Sequence, residues 1–246
     1  MNVVMLGATR GMGRAMARRF AKRGDRLFLM GRDPDELQRS AEDLAVRAGS
    51  DTRPEVAWCD LEHPDGFDDA LDAAWATLGK VDCVVITAAI FATQDALEAD
   101  PGLALRLLTA NYANTVFLCE RVRSRLLASG GGTLCVFSSV AGDRGRKTVG
   151  LYGSSKAGLS HYLESLDHKY RADGLVTVCV KPGFVRTGMT EGLKPPPFAG
   201  EPEAVAAAVV KAIDRGSPLV YAPGIWRLVM LLIRHLPRFI MRRVGF

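Results

Sequence analysis

Residues 2–20 read NVVMLGATRGMGRAMARRF: a short apolar run, a glycine-rich turn, and then a segment of helical period. Gly7, Gly11 and Gly13 fall at the junction with the spacing G-x-x-x-G-x-G. Glycine lets the chain turn tightly and lets backbone N–H groups approach a pyrophosphate, whose charge the helix N-terminus also favours. A turn of this kind directly after the first strand predicts a nucleotide-binding α/β domain.

Outward from this turn the alternation continues. The runs RLFLMG, EVAWCD, DCVVITA, TLCVFSS, VTVCVKPG and PLVYAP are short and apolar, and with the opening run they make seven candidate strands. Between them lie six candidate helices, GRAMARRFAKRG, DELQRSAEDLAVRAG, DGFDDALDAAWATLG, LALRLLTANYANTVFLCERVRSRLLASG, SKAGLSHYLESLDHKYRADG and PEAVAAAVVKAIDRG, several closed by glycine. This pattern predicts a Rossmann-type doubly wound parallel sheet covered by helices on both faces. The proline-rich LKPPPFAGEP, Leu193 to Pro202, reads as a loop. One domain is expected over residues 1–224, with residues 225–246 as its basic amphipathic extension.

Composition narrows what such a domain does. A chain of 246 residues that is 48% hydrophobic can bury a sizeable core. Thirty-two Lys and Arg against 27 Asp and Glu leave a charge of +5, which suits an anionic ligand but reads as too diffuse for nucleic acid. Cys59, Cys83, Cys119, Cys135 and Cys179 are widely spaced, four of them in apolar runs, and are expected to be reduced core residues. The opening residues lack the parts of a signal peptide, so a cytoplasmic location is expected. His63, His161, His168 and His235 show no ligand spacing, so no metal site is expected.

The second strand ends in FLMGRD, with Gly31 where an acidic residue would hold a ribose 2′-hydroxyl, and Arg32 next. Arg32, helped by Arg10, can neutralise a 2′-phosphate, so NADP(H) is expected ahead of NAD(H). Asp60 and Leu61, at the end of the third strand, would flank the adenine. Farther on, SSVAGDRGRKTVGLYGSSK, Ser138 to Lys156, sets Tyr152 one helical turn before Lys156, where an ammonium can lower the phenol's pKa. A carbonyl under reduction needs a proton at oxygen while hydride arrives at carbon. Tyr152 can supply that proton, and Ser139 can hold the oxygen by a second hydrogen bond.

From Gly7 to about Pro223 the chain resembles the short-chain dehydrogenase/reductase family. The resemblance rests on Gly7, Ala8, Thr9, Arg10, Gly11, Met12 and Gly13, on Asp60, Asn111 and Ser139, on the Tyr152 and Lys156 pair, and on KPGFVRT from Lys181 to Thr187. It implies hydride transfer between NADP(H) and a ketone or secondary alcohol, with Asn111 holding Lys156 through water in a proton relay. It also implies that Thr9, Met12, Ala88, Tyr152 and Lys156 join the glycines at the cofactor, that Pro182, Gly183, Val185 and Thr187 border the nicotinamide, and that the protein is a homodimer or homotetramer. Two positions depart from the family pattern: Leu6 replaces a threonine, and Ile86, Thr87, Ala88 and Ala89 replace Asn-Asn-Ala-Gly. A nucleotide-sensing protein without turnover would not need the intact Tyr, Lys, Ser and Asn set.

Toward its C-terminal end the chain is similar to the reductases that act on decaprenylphosphoryl 2-keto-erythropentose, through VYAPGIWRLVMLLIRHLPRFIMRRVGF and KPGFVRTGM. From Ile225 to Phe246 an apolar stripe is mixed with Arg227, Arg234, Arg238, Arg242 and Arg243. Its longest apolar run, Leu228 to Ile233, is too short to span a bilayer. The expected roles are attachment at the inner face of a membrane, or packing on the domain or on a partner subunit as a substrate lid. Arg144, Arg146 and Lys147 are expected to border the substrate mouth and bind a phosphate, with a prenyl chain along Trp226, Leu228, Leu232 and Phe239. A lipid-linked ketone is thus one expected substrate, and a 3-oxoacyl or other small ketone the alternative.

Overall fold

A computed structural model describes residues 1–49 and 53–243. Its seven strands, β1 (Asn2–Leu6), β2 (Arg26–Gly31), β3 (Glu55–Trp58), β4 (Cys83–Ile86), β5 (Gly132–Phe137), β6 (Leu175–Pro182) and β7 (Leu219–Ala222), pair in the order β3-β2-β1-β4-β5-β6-β7. Every pairing is parallel. Because successive residues of a strand point to opposite faces, a sheet covered on both sides needs strands apolar throughout. In β1, Val3 and Met5 enter one core with Leu29, Val85 and Phe20, while Val4 and Leu6 enter the other with Phe28, Val84 and Phe67.

The helices that close these two cores are α1 (Gly11–Arg23), α2 (Pro34–Ala48), α3 (Phe67–Leu78), α4 (Gln94–Ala99), α5 (Pro101–Leu108), α6 (Thr115–Ala128), α7 (Gly150–Tyr170) and α8 (Pro202–Asp214), followed by α9 (Trp226–His235) and α10 (Arg238–Met241). Their ends are chemically marked: Asp33 caps α2 by accepting from the Glu36 N–H at 3.1 Å, Pro34 opens it, and Gly49 ends it with φ 61°. Strand order reverses between β1 and β4, which opens a crevice at their C-terminal ends.

The segment 103–130, expected as one helix, is instead broken. A π-helical turn, Thr109–Asn114, separates α5 from α6, and Asn111 within it is fully buried. Three helices were not foreseen: α4, whose N-cap Thr93 accepts from the Ala96 N–H, and α9 and α10, into which the extension folds. The inner face of α9 buries Trp226 and Met230 against Val140, with Phe184 and Tyr221 alongside. The extension therefore packs on the domain, and its last three residues, 244–246, lie outside the described residues.

Candidate active site

The turn after β1 is shaped by close approach. Gly7 has φ 96°, and a Cβ there would stand 2.8 Å from the Ala88 nitrogen; a Cβ on Gly13 would collide with the Gly7 carbonyl. Gly11 (φ 51°) lies against Thr187, whose methyl group would be 3.3 Å from a Cβ. Gly13 thus serves helix-to-strand packing, as does Met12, which rests on the core. The two family departures meet here: the Thr87 hydroxyl donates to the Gly7 carbonyl at 2.8 Å and lies 3.3 Å from that of Leu6, fixing the loop's backbone.

Beside this turn opens a cavity of about 490 Å³ lined by Gly7, Thr9, Arg10, Arg32, Asp60, Leu61 and Ala88, all expected to touch a nucleotide. Glu62 and Arg106 also line it and were not foreseen. The Arg106 guanidinium donates to both Glu62 oxygens at 2.6 and 3.1 Å, and its hydrogen bond holds that carboxyl below the usual range. Arg32 lies 3.9 Å from the same carboxylate with its side chain 68% exposed. The lining sets Arg10, Arg32 and Arg106 among the carboxylates of Asp33, Glu36, Asp60 and Glu62, and with the positive-φ glycine turn beside it the cavity fits the shape of a dinucleotide.

The reactive groups sit deeper. Ser139, just past β5, caps a short turn by accepting from the Ala141 N–H at 3.0 Å, and its hydroxyl acts on the Tyr152 phenol. Tyr152 is the third residue of α7, with the Phe91 ring edge-on at 5.0 Å between centroids. Burial pushes its phenol up to about 12, against the opposing pulls of the Ser139 hydrogen bond and the Arg146 charge. Burial also brings the Lys156 amine down to about 8. Lys156 was expected to lower the phenol's pKa, but its ammonium donates to the Phe137 carbonyl at 2.9 Å and stands 5.8 Å from the Tyr152 ring centre. Asn111 spends its side chain on Ile90, accepting from that residue's N–H and donating to its C=O, each at 2.7 Å.

Across the crevice, Pro182 ends β6 and Gly183 lies under the Trp226 indole, which leaves no room for a Cβ. The indole N–H donates to the Phe198 carbonyl at 3.2 Å, tying the proline-rich loop to the extension. Val185 is buried in the core and bridges to Gly200, and Thr187 faces Gly11. Trp226 therefore points inward, not along an exposed lipid track, whereas Leu228, Leu232 and Phe239 are 60%, 72% and 61% exposed.

The three basic residues of the β5–α7 loop divide. Arg144 donates to the Leu236 carbonyl at 2.8 Å and Lys147 to that of Arg242 at 2.7 Å, so both clasp the extension. Arg146 is largely buried, which lowers its guanidinium pKa. With Arg238 and Arg242 the three line a second cavity of about 560 Å³. The preceding residue, Asp143, was missed by the sequence reading. Its buried carboxylate accepts from Lys181 at 2.6 Å and from the Tyr221 hydroxyl at 2.8 Å. The nearest sequence signal was the aspartate between Ser139 and the basic run. All five cysteines are buried free thiols whose pKa values burial raises.

A family model described as short chain dehydrogenase matches residues 1–197. An uncharacterized oxidoreductase of Mycobacterium tuberculosis is 32% identical over 242 residues, covering 98% of this chain and 96% of its own. Another, from Streptomyces coelicolor, is 34% identical over 250 residues, covering 99% and 95%. Among solved structures, levodione reductase superposes with a TM-score of 0.81 at 22% identity, covering 90% of this chain and 95% of that one. An actinorhodin polyketide ketoreductase solved with NADPH gives 0.79 at 22% identity, covering 89% and 95%.

Proposed function

This chain belongs to the short-chain dehydrogenase family and is an oxidoreductase, and from that premise we propose that it reduces a ketone to a secondary alcohol with NADP(H) in preference to NAD(H). The observation that carries the reading is the buried Tyr152 phenol, with Ser139 acting on it and Lys156 one helical turn on, beside the glycine turn. Arg10, Arg32 and Arg106 would hold the 2′-phosphate, and the turn from Gly7 to Gly11 the pyrophosphate. Once bound, the nicotinamide supplies hydride.

The protein's own part is proton supply and orientation. A phenol pushed up to about 12 stays protonated over the working range and is suited to donate to a carbonyl oxygen, which favours the reductive direction. Ser139 holds that oxygen, and Lys156, near half-charged at about pH 8, can return the proton to Tyr152. Because both side-chain atoms of Asn111 are bound to Ile90, its place in the relay is through its backbone. The substrate we propose is a polyprenylphosphoryl keto-pentose, with a 3-oxoacyl or small ketone as the alternative, and the working form a homodimer or homotetramer in the cytoplasm.

The test is stoichiometric NADPH oxidation over a panel of ketones that includes the polyprenylphosphoryl keto-pentose, run beside Tyr152→Phe. The variant should lose at least about a hundredfold in turnover while binding NADPH as wild type does. Turnover near wild type in the variant, or none by the wild type on any ketone, would refute the catalytic reading. Activity on small ketones alone would remove only the lipid-linked substrate.

A further inference from the structure

The positive charge of this protein is not diffuse. Residues 225–246 contain Arg227, Arg234, Arg238, Arg242 and Arg243 and no acidic residue, so these five arginines account for the whole net charge of +5. The inward face of α9 is occupied by Trp226 and Met230. Its outward face nevertheless carries Leu228, Leu231 and Leu232, which are 60%, 53% and 72% exposed, and Phe239 of α10 adds another 61% exposed apolar side chain. A helix already anchored on one apolar face has no folding reason for a second one. Next to it lies the second cavity, lined by Arg144, Arg146, Lys147, Arg238 and Arg242 with no carboxylate among its lining residues.

We propose that this face docks on an anionic phospholipid surface, with Leu228, Leu231, Leu232 and Phe239 entering the boundary of the acyl chains and a lipid phosphate held by Arg238 and Arg242 at the mouth of the cationic cavity. Charge selects the occupant. A second copy of the chain would bring two sets of five arginines together with no carboxylate to offset them, whereas an anionic leaflet attracts each one. A guanidinium matches a phosphate with two parallel hydrogen bonds. Among the described residues no helix is long and apolar enough to cross a membrane, so the contact is lateral. The surface is read without reference to which ketone is reduced, and its test requires no turnover.

The experiment is flotation of the full chain with vesicles of phosphatidylcholine alone and of phosphatidylcholine with phosphatidylglycerol in equal parts, at rising salt. The full chain should float only with the anionic vesicles and be released by salt, and inorganic phosphate at matched ionic strength should displace no more than the salt does. Arg238→Gln/Arg242→Gln should lower partitioning about thirtyfold, at about fivefold per arginine near the surface. Leu228→Ser/Leu232→Ser should lower it by at least about tenfold through lost apolar insertion. Arg39→Gln/Arg186→Gln removes the same charge from exposed sites elsewhere and should leave partitioning little changed. Unchanged thermal midpoints confirm that the variants fold. Equal flotation with both vesicle types, no flotation, equal losses for both arginine pairs, or a dimer dispersed by Leu228→Ser/Leu232→Ser would overturn the proposal.

Discussion

Lys156 donates its ammonium to the Phe137 carbonyl at 2.9 Å, while the Tyr152 ring one turn before it is 5.8 Å away. Burial holds that amine at about 8, below its ordinary 10.5. Between these values the unfolded chain holds a proton that the folded chain lacks, so stability rises with pH; below 8 both hold it and the penalty is full. Buried thiols act in the opposite sense, so the difference between wild type and Lys156→Met isolates the amine. That difference should move in favour of the wild type by on the order of 2 kcal/mol from about pH 7 to about pH 10. A flat difference in denaturant titrations would show that the amine titrates normally.

Glu62 competes for the cations at the nucleotide cavity, because it already binds Arg106 and attracts Arg32. Glu62→Gln should tighten NADPH more than NADH, and Arg32→Ala should weaken NADPH more than NADH. The exposure of Arg32 limits its own loss to roughly tenfold, about 1.4 kcal/mol. Cofactor titrations check both, and equal effects on the two cofactors would take Arg32 out of phosphate recognition.

Asp143 fastens the loop carrying Ser139 to β6 through Lys181 and to β7 through Tyr221. Removing one member of a buried ion pair leaves the other charge uncompensated, so Asp143→Ala should destabilise by about 3 to 5 kcal/mol. Asp143→Leu paired with Lys181→Met should recover most of that stability, measured by urea unfolding. If the double substitution is no better than the single one, the cost lies in packing and not in charge.

Trp226→Ala opens a space over Gly183 and releases the Phe198 carbonyl. The expected loss is about 3 to 5 kcal/mol. Thermal unfolding of the whole chain measures it, and a loss below about 1 kcal/mol would mean that α9 is only loosely seated.

The sheet was legible because each strand must be apolar on both faces, and runs such as DCVVITA show that without reference to any neighbour. The π-helical turn around Asn111 was not, since LALRLLTANYANTVFL keeps a serviceable helical period through the break. The Asn111 side chain inside the break is bound to Ile90, far away in sequence, accepting from its N–H and donating to its C=O, a contact that no local pattern announces. For the same reason Tyr152 and Lys156 were found from spacing, yet their burial, which reverses the expected shift of the phenol, depends on Phe91 and Phe137. In α9 the sequence offered two apolar faces, and only the contacts with Gly183 and Val140 decide that Trp226 takes the inner one.

With all the surplus charge held in the last 22 residues, residues 1–224 carry acidic and basic side chains in equal number. Copies of that body have no long-range repulsion to keep them apart at neutral pH, so the colloidal stability of the whole chain rests on its final arginines. A chain ending at Gly224 would have an isoelectric point near neutrality and self-associate where the full chain, at about 9.1, stays dispersed.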